Sequence, residues 1–270
     1  MEDLSRFRVL AVHAHPDDEV LFTGGTLADM AHRGAQVRVV TATLGEEGEV
    51  IGSALQGLVA SGLLGGYRAR ELADAVAALG VESRLLGGLG CFRDSGMAGP
   101  AHPRALVNRV EEATAAIARE VADFAPHIVL TYGPDGGYGH RDHIAVHRAV
   151  HAAVPAQQRV WWAVFDRESN YAGLEREIPQ PWRRPSTQYL DNFTNVAQVR
   201  YALPPAALTA KLAAMKAHST QIWLQEEQGA YALSNELAMP VLDAEFYQPG
   251  QACTLEPGLS GAELLLAGVE

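Results

Sequence analysis

Cysteine is scarce in this sequence of 270 residues, which contains only Cys91 and Cys253. The two are far apart, and neither has the short cysteine spacing that marks a thiolate-ligated metal site. A metal site built on cysteine is therefore excluded. We expect two free, buried thiols that behave as small apolar side chains.

Basic residues and long apolar runs are also lacking. The formal net charge is −11, whereas a groove that follows a nucleic-acid backbone needs a basic surface. No apolar run approaches the roughly 18 residues that span a bilayer, and the first residues show no basic segment followed by a long apolar one. We expect neither nucleic acid nor membrane as a partner, and a cytoplasmic location. The oligomeric state is left open.

Short β-forming runs alternate with helical segments along the first 165 residues. The predicted strands are 7–12, 36–44, 83–88, 127–132 and 159–165, and the predicted helices are 18–33, 67–79, 105–124 and 142–154. Such alternation implies right-handed crossovers and a mostly parallel sheet with helices on both faces. We therefore predict an α/β protein with a Rossmann-like catalytic domain over residues 1–165.

The segment 166–195 differs in composition, because it is rich in proline, arginine, tryptophan and asparagine. It is predicted to be a long irregular insertion or lid. A strand at 196–203, a helix at 205–218 and a loop-rich remainder are expected to follow. We predict that residues 166–270 form this insertion and a smaller C-terminal lobe that completes the substrate pocket.

The first predicted strand runs directly into the motif HAHPDDE, residues 13–19. In a doubly wound sheet, ligands bind outside the carboxyl ends of the strands, so a site is expected here. The glycine-rich GxGxxG loop of dinucleotide sites is absent. Instead, His15 and Asp18 stand three residues apart at a turn into a helix, a spacing at which two side chains can bind one ion.

A second motif, GGYGHRDH at residues 136–143, follows the fourth predicted strand and offers His140, Asp142 and His143. The carboxyl ends of parallel strands meet at one edge, so we expect the two motifs to lie together. Three histidine or carboxylate ligands with one position left to water are typical of catalytic zinc, and ferrous iron suits the same ligands. A His143–His147 metal pair is a weaker alternative, because the HExxH motif is absent.

The remaining polar residues suit metal-assisted amide hydrolysis. Asp17 is a free carboxylate beside the expected ligands, which favours a general base for water. His140 is placed to protonate a leaving amine, and Tyr138 to donate to a developing oxyanion. Asp142 is placed to orient a histidine ring, or alternatively to cap the following helix.

At these two motifs the sequence resembles the LmbE-like, or PIG-L, family of zinc-dependent N-acetylglucosaminyl deacetylases. The similarity extends through TLGEEGEVIG (43–52), GGYRARE (65–71), RDSGMAG (93–99) and ALSNELAMP (232–240), but not through the insertion or the final fifteen or so residues. The resemblance implies a Zn²⁺ ion bound by three residues: His15, Asp18 and His143. It also implies Asp17 as the general base, His140 as an acid or electrostatic partner, and Tyr138 near the oxyanion.

The resemblance further implies contacts to a sugar. Arg68 and Asp94 are expected to bind its hydroxyl groups, since charged groups pair well with diols. The alternative is that these two residues simply form a salt bridge with each other. Three more residues are expected to line the site: Glu47, Met97 and Asn235.

The implied substrate is a small-molecule conjugate of N-acetylglucosamine (GlcNAc). Within the family, the branch that acts in mycothiol biosynthesis is the most similar, which implies GlcNAc-inositol; GlcNAc-malate of bacillithiol synthesis is the alternative. Related thiol-conjugate amidases carry a lysine in a Ser-Ser-Lys-Gly run after the acidic motif, whereas residues 20–24 here are VLFTG. A non-catalytic sugar-binding module would need neither Asp17 nor His140. We therefore expect a deacetylase that releases acetate and a free amine.

Overall fold

Ten strands form two sheets in the computed structural model, which describes residues 3–269. The strands are β1 (Arg8–His13), β2 (Gln36–Thr41), β3 (Glu82–Leu85), β4 (Ile128–Tyr132), β5 (Arg159–Val164), β6 (Val199–Ala202), β7 (Trp223–Gln225), β8 (Ala230–Ala232), β9 (Met239–Pro240) and β10 (Ala244–Gln251). Seven of them make the central sheet, in the order β3-β2-β1-β4-β5-β10-β6. Strands β1 to β5 are parallel, as the alternation of strands and helices predicts.

The direction in which strands are added reverses beside β1. From β1 the chain proceeds outward to β2 and β3, and then returns to place β4 on the other side of β1. Such a reversal opens a crevice at the carboxyl ends of the two strands that flank it. The loops after β1 and β4, which carry the two His/Asp motifs, therefore face one another.

Helices flank the central sheet, and the longer ones pack in two groups. They are α1 (Gly24–His32), α2 (Gly57–Ala60), α3 (Leu64–Leu79), α4 (Val110–Phe124), α5 (Gly136–Gly139), α6 (Arg141–Ala153), α7 (Arg167–Gly173), α8 (Thr187–Phe193), α9 (Pro205–Ala217) and α10 (Gly261–Leu266). Helices α1, α3 and α9 pack together, and α4 packs on α6. Among the described residues, no helix combines the length and apolar character that crossing a bilayer requires.

Two predicted helices begin differently from expectation. The helix predicted from residue 18 starts with a π-helical turn, Glu19–Thr23, before α1; such turns occur often at functional sites. The helix predicted from residue 105 starts with a 3₁₀ turn, Leu106–Asn108. Ala105 is instead paired with Arg93 in an isolated bridge, so a tertiary contact overrides the local helical preference.

The expectation that residues 166–195 are irregular is wrong in part, because they contain α7 and α8. Each helix has a side-chain cap: Asp166 accepts from the backbone N–H of Ser169, and Ser186 accepts from that of Tyr189. Such caps satisfy amide groups that have no partner within a helix. The segment thus has a helix near each end, and residues 174–186 between them are irregular.

The loop-rich remainder expected after residue 218 is also wrong in part. Strand β10 enters the central sheet antiparallel between β5 and β6, with a register shift between Pro249 and Gln251. Strands β7, β8 and β9 form a separate antiparallel sheet. Strands from both sides of residue 165 share the central sheet, and the division into domains at that residue stays a prediction.

Candidate active site and metal centre

A cavity of about 600 Å³ opens where the loops after β1 and β4 meet. Nine of the predicted site residues line it: His15, Asp17, Glu47, Arg68, Asp94, Met97, Tyr138, His140 and Asn235. The other three, Asp18, Asp142 and His143, are buried and lie against His15. The structure therefore brings the two sequence motifs into one site.

Two ring nitrogens and the two carboxylate oxygens of Asp18 converge at the floor of this site. His15 Nδ1 lies 3.2 Å from Asp18 Oδ2. His143 Nε2 lies 3.3 Å from Asp18 Oδ1 and 3.3 Å from His15 Nδ1. Ligand atoms bound tetrahedrally to zinc at roughly 2.0–2.1 Å lie about 3.3–3.4 Å from one another. The 3.3 Å between the two histidine nitrogens, with an Asp18 oxygen 3.2–3.3 Å from each of them, is compatible with one such ion.

Further hydrogen bonds fix the orientation of these three residues. His15 Nε2 lies 3.2 Å from Asp142 Oδ2, and His143 Nδ1 lies 3.0 Å from the carbonyl oxygen of Gly136. The Tyr132 hydroxyl donates to Asp18 Oδ2 at 2.7 Å. Metal-binding histidines usually donate their second ring N–H in this way, which directs the remaining lone pair at the ion.

His140 also lies close enough to His15 and His143 to form a possible metal-binding group. However, His140 Nδ1 accepts the backbone N–H of Asp142 and caps α6. A neutral imidazole that accepts through Nδ1 carries its hydrogen on Nε2, and so has no lone pair for an ion. This geometry favours Asp18 over His140 as the third ligand, and it also shows that Asp142 is not the helix cap.

Carboxylates surround His15 on two sides. Burial by itself would lower the pKa of His15, but the carboxylates of Asp94, Asp142 and Asp18 hold that pKa well above its usual value. Asp142 is held in place by Ser95, which donates to it through the backbone N–H at 2.8 Å and through its hydroxyl. A buried cluster of negative charge is the environment that a cation stabilises.

Asp17 has the backbone geometry of a constrained residue. Its φ is 118°, a value that residues other than glycine rarely adopt. Arg68 Nη2 lies 3.1 Å from Asp17 Oδ2, and also donates to the carbonyl oxygen of Pro16. Burial raises the pKa of Asp17 to about 6, while the Arg68 guanidinium acts in the opposite direction. Strain held at such a position is typical of functional sites.

Arg68 and Asp94 do not pair as the alternative interpretation supposed, because the ion pair of Arg68 is with Asp17. Asp94 instead accepts the backbone N–H groups of Glu47 at 3.1 Å and Gly96 at 2.8 Å. It therefore organises the two loops that form one wall of the cavity.

The other predicted substrate residues lie at the cavity rim. The Glu47 carboxylate is bound by Arg93, and the Met97 side chain is exposed. Asn235 Nδ2 donates to the Tyr189 hydroxyl at 3.1 Å, which links the loop after β8 to α8.

Tyr138 belongs to an aromatic wall. Its ring stacks on Phe193 at 5.2 Å between centroids and meets His143 edge-on at 5.1 Å. Burial, together with the nearby carboxylates, raises the pKa of Tyr138 well above its usual value. The phenol therefore stays protonated and can donate a hydrogen bond.

Several residues of the site escaped the sequence analysis. Tyr132 ends β4 and bonds both Asp18 and the backbone N–H of Ala14; its place at a strand end beside a motif was an available signal. Ser95, next to Asp94, holds Asp142. Tyr189, Asn192 and Phe193 reach the cavity from α8, and no local pattern marks them.

Comparison with known proteins places the chain among N-acetyl hydrolases. The family model described as PIG-L, GlcNAc-PI de-N-acetylase, matches residues 10–154. The chain is 42% identical over 293 aligned positions to the 1D-myo-inositol 2-acetamido-2-deoxy-alpha-D-glucopyranoside deacetylase of Corynebacterium glutamicum strain R, with 99% of this chain and 98% of that protein covered. It is 45% identical over 272 positions to the protein of the same name from Rhodococcus opacus, with 90% and 91% covered. The solved zinc-inhibited form of teicoplanin deacetylase Orf2 aligns with a TM-score of 0.54 at 25% identity, with 78% of this chain and 84% of that one covered.

Proposed function

Because the chain belongs to the PIG-L family of GlcNAc-PI de-N-acetylases, we propose that it removes the N-acetyl group from GlcNAc-inositol in mycothiol biosynthesis. Relatives similar along nearly the whole chain carry the name of that activity. The observation that supports the chemistry best is the cluster beside the free carboxylate of Asp17, in which the His15 and His143 nitrogens lie 3.3 Å apart and each lies 3.2–3.3 Å from an oxygen of Asp18. The products are acetate and the free amine of the glucosamine conjugate.

The deacetylase is metal-dependent, as its family and its His/Asp cluster indicate. We propose Zn²⁺ as the ion, held by His15, Asp18 and His143, with Fe²⁺ as the alternative that the same nitrogen and oxygen donors would accept. An ion at this point supplies Lewis acidity to the reaction.

Asp17 acts in this proposal as the general base. Its carboxylate lines the cavity next to the three donors, and the Arg68 guanidinium orients it. A pKa of about 6 leaves this group ionised at neutral pH, yet still basic enough to accept a proton from the attacking water. The same carboxyl group can then return the proton to the leaving nitrogen.

His140 and Tyr138 supply hydrogen-bond donors to the developing charge. Burial, aided by His15 and His143, lowers the pKa of His140 to about 2, which keeps the ring neutral. Since Nδ1 accepts from the backbone, the Nε2 hydrogen is the one left to donate. This favours the electrostatic role for His140 over the role of a cationic acid, and the Tyr138 hydroxyl provides a second donor.

The sugar and its aglycone are bound in this proposal by opposite ends of the cavity. Arg68 and Asp94 are placed beside Asp17, where they contact glucosamine hydroxyls. The rim contributes Glu47, Met97 and Asn235, and α8 with the Asn235 loop surrounds the inositol ring. Charged and amide groups are suitable partners for a ligand made largely of hydroxyls.

The test is an activity panel on the purified protein, in which amine and acetate release are measured with GlcNAc-inositol, GlcNAc-malate and a mycothiol S-conjugate. We expect the highest kcat/KM with GlcNAc-inositol. A higher kcat/KM with GlcNAc-malate would show that inositol is the wrong aglycone, and a higher kcat/KM with the thiol conjugate would indicate an amidase. Sugar binding without any amine release would indicate a binding module.

The general base is tested by Asp17→Asn, which is nearly isosteric and tolerates the left-handed backbone. We expect unchanged metal content and a kcat lower by roughly 100- to 10,000-fold. A decrease in kcat of less than about tenfold would show that another residue is the general base.

A further inference from the structure

A buried acid–histidine pair lies directly behind Asp17. Glu19 comes from the π-helical turn and His218 from the end of α9, and both side chains are fully buried. Glu19 Oε1 lies 2.6 Å from His218 Nε2. Glu19 Oε2 accepts the backbone N–H of Asp17 at 2.9 Å. One carboxylate therefore joins the peptide of the proposed base to a histidine about two hundred residues away in sequence.

This arrangement explains how Asp17 keeps its unusual backbone. A residue other than glycine at a φ of 118° is strained, and such strain persists only where neighbouring contacts determine the conformation. The Asp17 N–H is bonded on one side by Glu19, and the Asp17 carboxylate on the other by Arg68. Together these contacts leave the peptide little freedom to rotate.

His218 is itself anchored. It ends α9, where the partial negative charge of a helix C-terminus favours a positive ring. Burial acts to lower the pKa of His218, but Glu19 raises it above its usual value. The loop that follows is tied to α3 by Glu71, which accepts from the Thr220 backbone and hydroxyl at 2.8 and 2.7 Å. Helix α3 also carries Arg68, so one helix braces both sides of Asp17.

We propose that Glu19 and His218 are positioning residues for catalysis, which hold the Asp17 peptide so that its carboxylate faces the cavity. The proposal rests on the proposed function, since it takes Asp17 as the base. Neither side chain lines the cavity, so both act through Asp17 and not on the substrate.

The test is a double-mutant cycle with Glu19→Ala and Asp17→Asn. Glu19→Ala removes the acceptor of the Asp17 N–H, and we expect kcat to fall at least about tenfold, with KM and metal content unchanged. In the Asp17→Asn background the same change should alter kcat less than about twofold, because coupled residues are not additive. An equal loss in both backgrounds, or a loss of metal together with turnover, would overturn the proposal. If Asp17→Asn alone keeps full activity, it is the proposed function that fails.

Conservative variants separate positioning from folding. Glu19→Gln keeps an oxygen that accepts from Asp17, and His218→Gln keeps an N–H for Glu19, so each should retain kcat within about threefold. In His218→Leu, kcat should fall as it does in Glu19→Ala.

Amide hydrogen exchange gives a readout independent of turnover: the Asp17 N–H should be protected in the wild type and in Glu19→Gln, and exchange rapidly in Glu19→Ala. Equal protection in all three proteins would contradict the proposal.

A matched control is Glu245→Ala. Glu245 is also a buried carboxylate that accepts two backbone N–H groups, from Gly25 and Thr26, and pairs with the cation of Lys211. It does not line the active-site cavity. We expect this variant to be less stable but to keep kcat; a kcat loss equal to that of Glu19→Ala would show that any buried carboxylate has the same effect.

Discussion

Individual atoms of three histidines decide what each residue can do in this site. His15 directs Nδ1 at the donor cluster and Nε2 at Asp142, whereas His143 directs Nε2 at the cluster and Nδ1 at a carbonyl oxygen. His140 has its Nδ1 committed to the α6 amide, which leaves a hydrogen-bond donor and no ligand. Residue type alone does not distinguish these roles, because all three are the same amino acid in the same site.

Removal of the His143 side chain tests its assignment as a metal ligand. We expect His143→Ala to lose both metal and activity, since two donors hold a divalent ion much more weakly than three. The control is His147→Ala, one helical turn further along α6, where Nδ1 bonds the Tyr132 carbonyl oxygen. Metal content after dialysis, measured beside kcat, should fall only in the first variant. Full metal occupancy in His143→Ala would refute the assignment.

Among the elements, α3 carries Arg68 and Glu71 and ends at Gly80, whose φ is 72°. We expect Gly80→Ala to lower the free energy of unfolding by about 1 kcal/mol, because alanine is strained in the left-handed region. Gly66 in the same helix is exposed, and a Cβ there meets no atom within 4 Å. Gly66→Ala should therefore raise the free energy of unfolding by about 0.5–1 kcal/mol. Urea denaturation of both variants measures these opposite signs, and a stabilised Gly80→Ala would contradict the argument.

Helix α8 is the element from the insertion that reaches the cavity, through Tyr189, Asn192 and Phe193. We expect Asn192→Ala to lower kcat/KM for GlcNAc-inositol by about tenfold, because a site built for hydroxyls loses a hydrogen-bond partner. Free GlcNAc lacks the inositol and should be hydrolysed as before. Gln188→Ala, at an exposed residue of the same helix that does not line the cavity, is the control. Equal losses on both substrates would place Asn192 at the sugar and not at the aglycone.

At the scale of the whole molecule, the central sheet joins both halves of the chain. Glu245 on β10 bonds the start of α1 and pairs with Lys211 of α9. We expect Glu245→Ala to lower the free energy of unfolding by about 3–5 kcal/mol, since it leaves a buried lysine without its counter-charge.

The same variant tests whether the halves fold together. Because β10 and β6 belong to the sheet that begins with β1, far-UV and near-UV circular dichroism should follow one coincident transition in the wild type and in Glu245→Ala. Two separated transitions would instead indicate that the chain after residue 165 unfolds as a unit of its own.

Local pattern was sufficient for the parallel sheet and for the position of the site. The strands β1 and β4 are short aliphatic runs buried on both faces. Such runs, when they alternate with helical segments along the chain, predict a parallel sheet without any knowledge of long-range contacts. The HAHPDDE and GGYGHRDH motifs follow those strands directly. Their placement at one edge needs only the general rule that carboxyl ends of parallel strands meet, and the twelve candidate residues came from this logic and from family resemblance.

Only the tertiary structure decided the strand partners of β10 and the ion-pair and hydrogen-bond partners of the site residues. Strand β10 was missed because its pairing with β5 and β6 is formed with distant residues, and its Pro249 argues locally against a strand. The alternative that Arg68 pairs with Asp94 is wrong, because its ion-pair partner is Asp17, on a loop that only folding brings to α3; the sugar contact of Arg68 stays a prediction. The left-handed backbone of Asp17 and the Glu19–His218 pair depend equally on long-range contacts. Sequence pattern encodes the local preferences of the backbone and the chemical types available, whereas hydrogen-bond partners depend on distances that exist only after the chain has packed.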